Sequence, residues 1–193
     1  MRTVLPEHAV LIPLGARLAF EGVIYSTYQW TQRTFDGTNQ VFEMLKRPDT
    51  VQVFAVKDNA IVLLRERQPG GSPYHSIPGG RHDRDNETEL DAARRELREE
   101  TGMAFSDWRL IDVTQPHAKI EHFVYVFLAT GFDGATPPSP DGGERIQVRL
   151  VDLDTLKTIA LQPDARGIPT RILHRTDTIE ALLQLPAYQP GPS

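Results

Sequence analysis

The chain has no cysteine among its 193 residues. Disulfides, thiolate zinc sites and a cysteine nucleophile are excluded, and with them a secreted module that depends on disulfides. No run reaches the roughly 18 apolar residues that a membrane-spanning helix needs. The apolar N-terminal stretch AVLIPLGARLAF is broken by Pro13 and Arg17, with only Arg2 ahead of it as a positive flank. It reads as folded chain rather than as a signal peptide, and a cytoplasmic protein is the expectation. Positive charge is also in deficit. The 21 Lys and Arg against 26 Asp and Glu leave a net charge of −5, which argues against nucleic acid as a partner held by bulk charge. Heptads and internal repeats are missing. What remains is 39% hydrophobic and 24% charged, an ordinary globular composition with enough chain to bury a full core.

One stretch stands out, residues 78–103, PGGRHDRDNETELDAARRELREETGM. A glycine turn is followed by a polar loop and then by a segment of helical spacing that stops at Gly102. At about 100° per residue, Glu96, Glu99 and Glu100 share one narrow arc of that helix. Like charges at this spacing repel, so the arrangement weakens the helix unless a cation gathers them. Leu90, Ala93 and Leu97 fall on a neighbouring arc and read as its buried stripe. An exposed charged helix with Asp91–Arg95 and Arg95–Glu99 pairs is the plainer alternative. The adjoining glycine turn favours a divalent cation, since Mg²⁺ and Mn²⁺ seek hard oxygen donors and leave positions for substrate phosphates.

Around this stretch the chain reads as strands. Residues 1–20 form a mixed arm with a short strand or two. Residues 21–35 and 39–47 read as a hairpin turning at Asp36-Gly37. TVQVFAVKD and AIVLLRER are two strands joined at Asp58-Asn59, with Val51, Val53, Ala55, Ile61 and Leu63 on their buried face. QPGGSPYHSI is a breaker-rich loop. WRLIDVTQ and IEHFVYVFLATGF are further strands, the second apolar enough to be central. DGATPPSPDGGE is a surface loop, and RIQVRLVDL is a last strand with Val148, Leu150 and Val151 as core candidates. DTIEALLQL is helical, and PAYQPGPS is a frayed tail. Mixed strands with a helix between them and another at the end indicate an α/β layered domain.

The glutamate helix resembles the Nudix box, a signature of Gly, five residues, Glu, seven residues, then Arg-Glu-hydrophobic-x-Glu-Glu-x-Gly-hydrophobic. Glu87, Arg95-Glu96-Leu97, Glu99-Glu100 and Gly102-Met103 match it. Between Gly80 and Glu87 one residue is inserted. The resemblance implies a Nudix fold, an α/β/α sandwich with a mixed sheet. It divides the chain into an N-terminal β-hairpin arm over residues 1–48, a possible dimer element, and a catalytic domain over 49–193 closed by a C-terminal helix. It also implies that Glu96, Glu99, Glu100 and the Gly79 carbonyl hold Mg²⁺ or Mn²⁺, that Arg95 holds a glutamate in place, and that Gly80 and Gly102 shape the turn and the helix end.

Over residues 20–185 the chain is similar to the ADP-ribose (ADP-sugar) pyrophosphatase branch, with its hairpin arm, RPDTVQVFAV, IVLLRER, IPGG and terminal helix. That likeness implies hydrolysis of a nucleoside diphosphate-linked compound, best ADP-ribose or an ADP-sugar, to AMP and a sugar phosphate. In many folds an accessory arm of this kind packs on a second subunit, so a homodimer is the expectation. The general base would come from a loop after the box, where Glu144 stands; Glu121 and a metal with Glu99 are its rivals. Trp30, Tyr28 and Phe35 are candidates for stacking on a base, and Arg67 for pairing with a phosphate. His75, His82 and His117 have no metal-ligand spacing. RERQPG departs from the branch's glutamine-aromatic-arginine, and Pro-Gly-Gly replaces its Pro-Ala-Gly. Dinucleoside polyphosphates, coenzyme A and NADH are alternative substrates, and a non-catalytic nucleotide-sugar sensor is the alternative outside enzymes.

Overall fold

A computed structural model describes residues 2–140 and 142–190. Eleven strands appear in chain order among them: β1 (Arg17–Glu21), β2 (Ser26–Arg33), β3 (Asn39–Lys46), β4 (Asp49–Lys57), β5 (Ala60–Arg67), β6 (Tyr74–Ser76), β7 (Gly79–His82), β8 (Met103–Thr114), β9 (Ile120–Glu121), β10 (Val124–Ala135) and β11 (Arg145–Val151). The helices are α1 (Glu89–Thr101), α2 (Leu153–Ala160), α3 (Thr170–Leu173) and α4 (Ile179–Leu183).

The main sheet runs β11-β5-β4-β10-β8, with β4 and β10 parallel and the other pairs antiparallel. Alternation decides which layer each side chain joins. Val51, Val53, Ala55, Val62, Leu64, Tyr125 and Phe127 pack under α1 through Ala92, Ala93 and Leu97. Phe54, Val56, Ile61, Leu63, Val126 and Leu128 face the other way, onto Leu153, Leu156, Ile172, Leu173 and Leu182 of α2, α3 and α4. The result is the α/β/α sandwich with a mixed sheet that was expected. Ile61 and Leu63 therefore lie on the opposite face from Val51 and Val53, because β4 and β5 are covered on both sides.

The β4–β5 hairpin holds the key to the site. Asp58 and Asn59 both take positive φ, 52° and 59°, as a tight hairpin turn demands. The two strands pair only at Val56–Ile61 and Lys57–Ala60. Beyond that they splay, and β6 pairs with β5 while β7 pairs with β4. The Pro78 carbonyl accepts from Val53 N–H at 2.7 Å. The breaker-rich loop thus contains a short strand, and the glycine turn is itself extended chain wedged into the sheet. Open ladders left by the splay need partners, and this segment supplies them.

Helix α1 starts with Thr88, whose side chain caps Asp91 N–H in a reciprocal capping box. It stops at Gly102, where φ is +72° and the N–H reaches the Arg98 carbonyl at 2.8 Å. Leu90 is only half-buried, and Ala92 takes a place in the inner stripe beside Ala93 and Leu97.

Other boundaries differ in instructive ways. IEHF breaks after Glu121, because β9 pairs with β3 of the arm, while β10 lies centrally between β4 and β8. β10 runs on to Ala135, paired with Met103. The end of RIQVRLVDL becomes α2, capped by Asp152; Val151 is buried, Val148 half-buried and Leu150 exposed. In the tail, Tyr188 is pinned by its N–H on the Leu110 carbonyl at 2.7 Å, while residues 191–193 lie outside the described residues. The second sheet, β1-β2-β3-β9, is the hairpin arm plus one short strand. Residues before it are tied down by buried carboxylates. Arg2 bridges Asp49 and Glu121 at 2.6 and 2.7 Å, and Glu89 accepts from Thr3. Among the described residues no helix is long and apolar enough to cross a membrane.

Two stability predictions follow from this packing. A Cβ at Gly102 would stand 1.8 Å from the Thr136 carbonyl oxygen on a left-handed backbone. Gly102→Ala should cost about 2 kcal/mol or more and lower the thermal midpoint by roughly 5 °C, read by calorimetry. Burial also pushes the His122 imidazole down to about 4. Between pH 6.5 and 4 the unfolded chain binds the proton more readily, so stability falls with acidification through that window. Thermal midpoints measured across it should fall less steeply for His122→Gln.

Candidate active site

The splay of β4 from β5 opens a cleft of about 550 Å³ whose lining includes Glu66, Gly79, Gly80, Arg95, Glu96, Glu99, Glu100 and Glu144. One wall is α1 and another is β7, and the two approach closely. Gly79 N–H donates to Glu100 Oε2 at 3.0 Å. A Cβ on Gly80 would lie 2.4 Å from the Glu96 carboxylate. Glycine is needed here for space, since any side chain would displace that carboxylate.

Glu66 reaches the cleft through strand parity. Val62, Leu64 and Glu66 share the face of β5 that α1 covers, and Glu66 is the one that lies beyond the apolar cluster. It is 7% exposed and accepts from Ser76 Oγ, and from Tyr74 OH at 2.9 Å.

Arg95 organises the carboxylates. Its Nε and Nη2 grip both oxygens of Glu87 at 2.7 and 3.0 Å, and Nη2 also donates to the Arg81 carbonyl. Its Nη1 donates to Glu96 at 2.7 Å and Glu99 at 3.2 Å. The Arg95–Glu99 pair forms as expected. Asp91 instead turns to Thr88, because a cap hydrogen bond competes for it. The residue inserted before Glu87 is absorbed in the loop over 83–86, where Asn86 takes φ +59°. Glu87 still meets Arg95, and that contact holds its carboxyl below the usual range.

The electrostatics of the floor are unfavourable in one direction. Burial pushes the Glu100 carboxyl well up, and Glu66, Glu96 and Glu144 add to the push. Burial likewise raises Glu96 against the pull of Arg95, and raises Glu66 against its two hydroxyl donors. Among the described residues no three acidic or histidine groups converge on one point, since Arg95 draws Glu96 and Glu99 to itself and Arg84 takes Glu99 at 3.0 Å. Six carboxylates on one cleft, Asp83 among them, with hard oxygen donors and excess negative charge, nonetheless fit a divalent cation.

The other sequence candidates are distributed unevenly. Glu144 lines the cleft, and its Oε1 accepts from Gln68 Nε2 at 2.5 Å. Glu121 does not: it is engaged elsewhere, by Arg2, Lys46 and the Ile12 N–H. Although burial opposes it, those donors hold the Glu121 carboxyl low. Tyr28 lines a neighbouring hollow beside Asp49 and His82. Trp30 tilts against Phe42 and donates to Gln32, on the arm and outside the cleft lining. Phe35 is fully exposed at the hairpin tip. Arg67 lines a groove shared with Gln68, Glu144 and Arg145, adjoining the cleft. His75 contacts Arg65 and Asp164, His82 meets the Glu87 carbonyl at 2.7 Å, and His117 is exposed.

Sequence reading missed Ile24, Tyr25 and Arg47, which form part of the cleft lining. The Arg47 guanidinium lies 5.6 Å over the Tyr25 ring, and its Nε is buried without a hydrogen-bond partner. It also missed Glu66, Gln68 and Tyr74. The parity of β5 could have flagged Glu66; nothing local could have flagged Tyr25 over Tyr28, since the choice depends on how the arm lies on the domain.

Comparison with known proteins shows the family and the fold. The family model described as NUDIX domain matches residues 46–172. The solved structure of an ADP compounds hydrolase is similar at a TM-score of 0.64 and 20% identity, covering 78% of this chain and 83% of that one. A structure from work on MutT of Aliivibrio salmonicida and of Vibrio cholerae aligns at a TM-score of 0.46 and 22% identity, over 58% of this chain and 85% of that one. No curated protein matches. With a family model covering well over half of its residues, and with the glutamate helix and glycine strand meeting in one cleft, the chain belongs to the Nudix family.

Proposed function

We propose that this Nudix protein is a divalent-metal-dependent pyrophosphohydrolase acting on a nucleoside diphosphate-linked compound, with ADP-ribose or an ADP-sugar as substrate. The observation that carries this is the meeting of Glu96 and Glu100 with the Gly79–Gly80 backbone, on the floor of a cleft that Glu99 and Glu144 also line. The preserved carboxylates favour turnover over a sensor role. Nudix hydrolases generally use divalent metal ions, and Glu96, Glu99, Glu100 and the Gly79 carbonyl are the groups that would hold Mg²⁺ or Mn²⁺ here. Such an ion neutralises phosphate oxygens and makes phosphorus more electrophilic.

The chain's own residues do the rest. Arg95 holds Glu96 and Glu99 in fixed rotamers. Arg47, Arg81 and Arg84 line the same cleft and offer positive charge to the diphosphate. Tyr25 and Arg47, with the guanidinium over the ring, offer planar groups against which a nucleobase can lie. Glu144 takes a proton from the attacking water. The new P–O bond forms as the bridging P–O bond breaks, and ADP-ribose yields AMP and ribose 5-phosphate. The choice of an ADP compound draws support from the activity named for the similar solved structure. We place the homodimer contact on the arm, where Phe20, Val23, Phe35 and Val41 are exposed.

The test is release of AMP from ADP-ribose with Mg²⁺. Wild-type protein should hydrolyse it, and a chelator should abolish the reaction. Glu100→Gln should fall to background while remaining folded by thermal melt, and Glu144→Gln should lose about 100-fold or more in kcat. Tight ADP-ribose binding with no AMP formed would count for the sensor instead.

A further inference from the structure

Strand β11 closes one edge of the main sheet, and its register on β5 sets Arg145 directly opposite Arg67. Parity puts both arginines on the face that carries Ile61, Leu63 and Val151 further along the same two strands, away from α1. Like charges directly opposite one another weaken an antiparallel pair. Arg65, one step along that face, is neutralised by Asp164, which accepts from its Nη1 at 2.8 Å. Arg67 and Arg145 are not: among the described residues neither guanidinium has an acidic partner, a hydrogen bond or an aromatic contact. Both are exposed, and their repulsion is relieved only when an anion comes between them.

The space for one is a groove of about 430 Å³, walled by the two arginines and by the loops over 68–70 and 142–144. The loops face each other, since a Cβ on Gly143 would meet the Pro69 ring at 3.6 Å, while one on Gly70 would meet nothing within 4 Å. Glu144 is the acid of this lining, so two arginines stand against one carboxylate and leave a surplus of positive charge. The catalytic cleft has the opposite balance, its six carboxylates outnumbering its four arginines. Yet groove and cleft adjoin. Gln68 and Glu144, joined at 2.5 Å, stand in the lining of both. A molecule lying across this pair has its diphosphate in the cleft and its next anionic group between Arg67 and Arg145. One guanidinium fork satisfies a carboxylate, whereas the three oxygens of a phosphate can engage two forks at once.

We infer that Arg67 and Arg145 form a subsite for a further phosphate, which makes the substrate class a nucleoside diphosphate-linked compound with at least one phosphate beyond the scissile diphosphate. This rests on the reading that the diphosphate lies in the cleft. ADP-ribose fills the cleft and leaves the groove empty. The extra phosphate can belong to a longer phosphate chain or to a sugar hydroxyl, and the chemistry of recognition is the same.

Matched pairs separate the two sources: diadenosine tetraphosphate against diadenosine diphosphate, and ADP-ribose 2′-phosphate against ADP-ribose. The measurement is kcat/KM with Mg²⁺ for wild-type protein, Arg67→Gln, Arg145→Gln, the double variant and Arg149→Gln. Wild-type protein should favour the phosphate-richer member of at least one pair by about 10-fold or more, and each groove variant should lower that ratio about fivefold. Arg149 is exposed on the same face of β11 but outside the groove, so Arg149→Gln should leave the ratio within about twofold. A wild-type ratio near unity for both pairs overturns the inference. A ratio that the double variant retains overturns it as well, and so does an equal loss in Arg149→Gln, which would report bulk charge. Calorimetric binding of the same pairs to Glu100→Gln reads the subsite without turnover. Discrimination in Kd, lost in the double variant, beside a wild-type protein that hydrolyses nothing sinks the hydrolase reading and leaves the subsite. Hydrolysis of ADP-ribose with no discrimination in either pair does the reverse.

Discussion

The structure depends on how closely one extended strand approaches one helix. β7 lies against α1 with no side chain between them at Gly79 and Gly80, so the Glu96 and Glu100 carboxylates come directly onto its backbone. That approach is available only because β4 and β5 part after Val56–Ile61 and admit β6 and β7 into the gap. A continuous hairpin would have closed the sheet and left α1 resting on an unbroken surface. The cleft is therefore a topological consequence of strand divergence. The glycines keep it open at atomic scale.

Once carboxylates are brought together, something must offset their repulsion, and Arg95 does so in part. It binds Glu87 by two parallel bonds and still reaches Glu96 and Glu99. A fork of five donors is required for that, which lysine lacks. Glu100 makes no hydrogen bond to it, and is buried near Glu66 with the Gly79 N–H as its donor among the described residues. The unfavourable charge is thus concentrated at the deepest point of the floor, where a cation would gain most. The arginines are placed differently: Arg47, Arg81 and Arg84 are exposed or half-exposed members of the lining. A cleft with negative charge at its floor and positive charge among its other walls suits an ion-bridged diphosphate better than either partner alone.

Much of this was legible in the sequence, and the reasons are local. The capping box at Thr88, the stop at Gly102 and the glutamate spacing are properties of one helix, and each depends on neighbours within a few residues. The same holds for the Asp58-Asn59 turn and for the apolar β10 in the sheet interior. What stayed hidden depends on long-range placement. Pro78-Gly79-Gly80 has the composition of a turn, yet pairing with β4 makes it a strand. Tyr28 and Trp30 have the chemistry of base-stacking residues, yet the lie of the arm sends Tyr25 to the cleft instead. Glu121 begins a strand as a catalytic glutamate would, but β9 pairs with the arm, and Arg2 arrives from far along the chain to claim it.

The end of β5 shows how burial decides what a polar side chain requires. Glu66 and Gln68 from this segment both line the cleft. Glu66 needs donors because it is buried, and Tyr74 and Ser76 provide them. Gln68 brings a neutral amide to Glu144, so that carboxylate is held by a hydrogen bond and not by an ion pair. The positive charge of the lining comes from other elements, through Arg47, Arg81, Arg84 and Arg95.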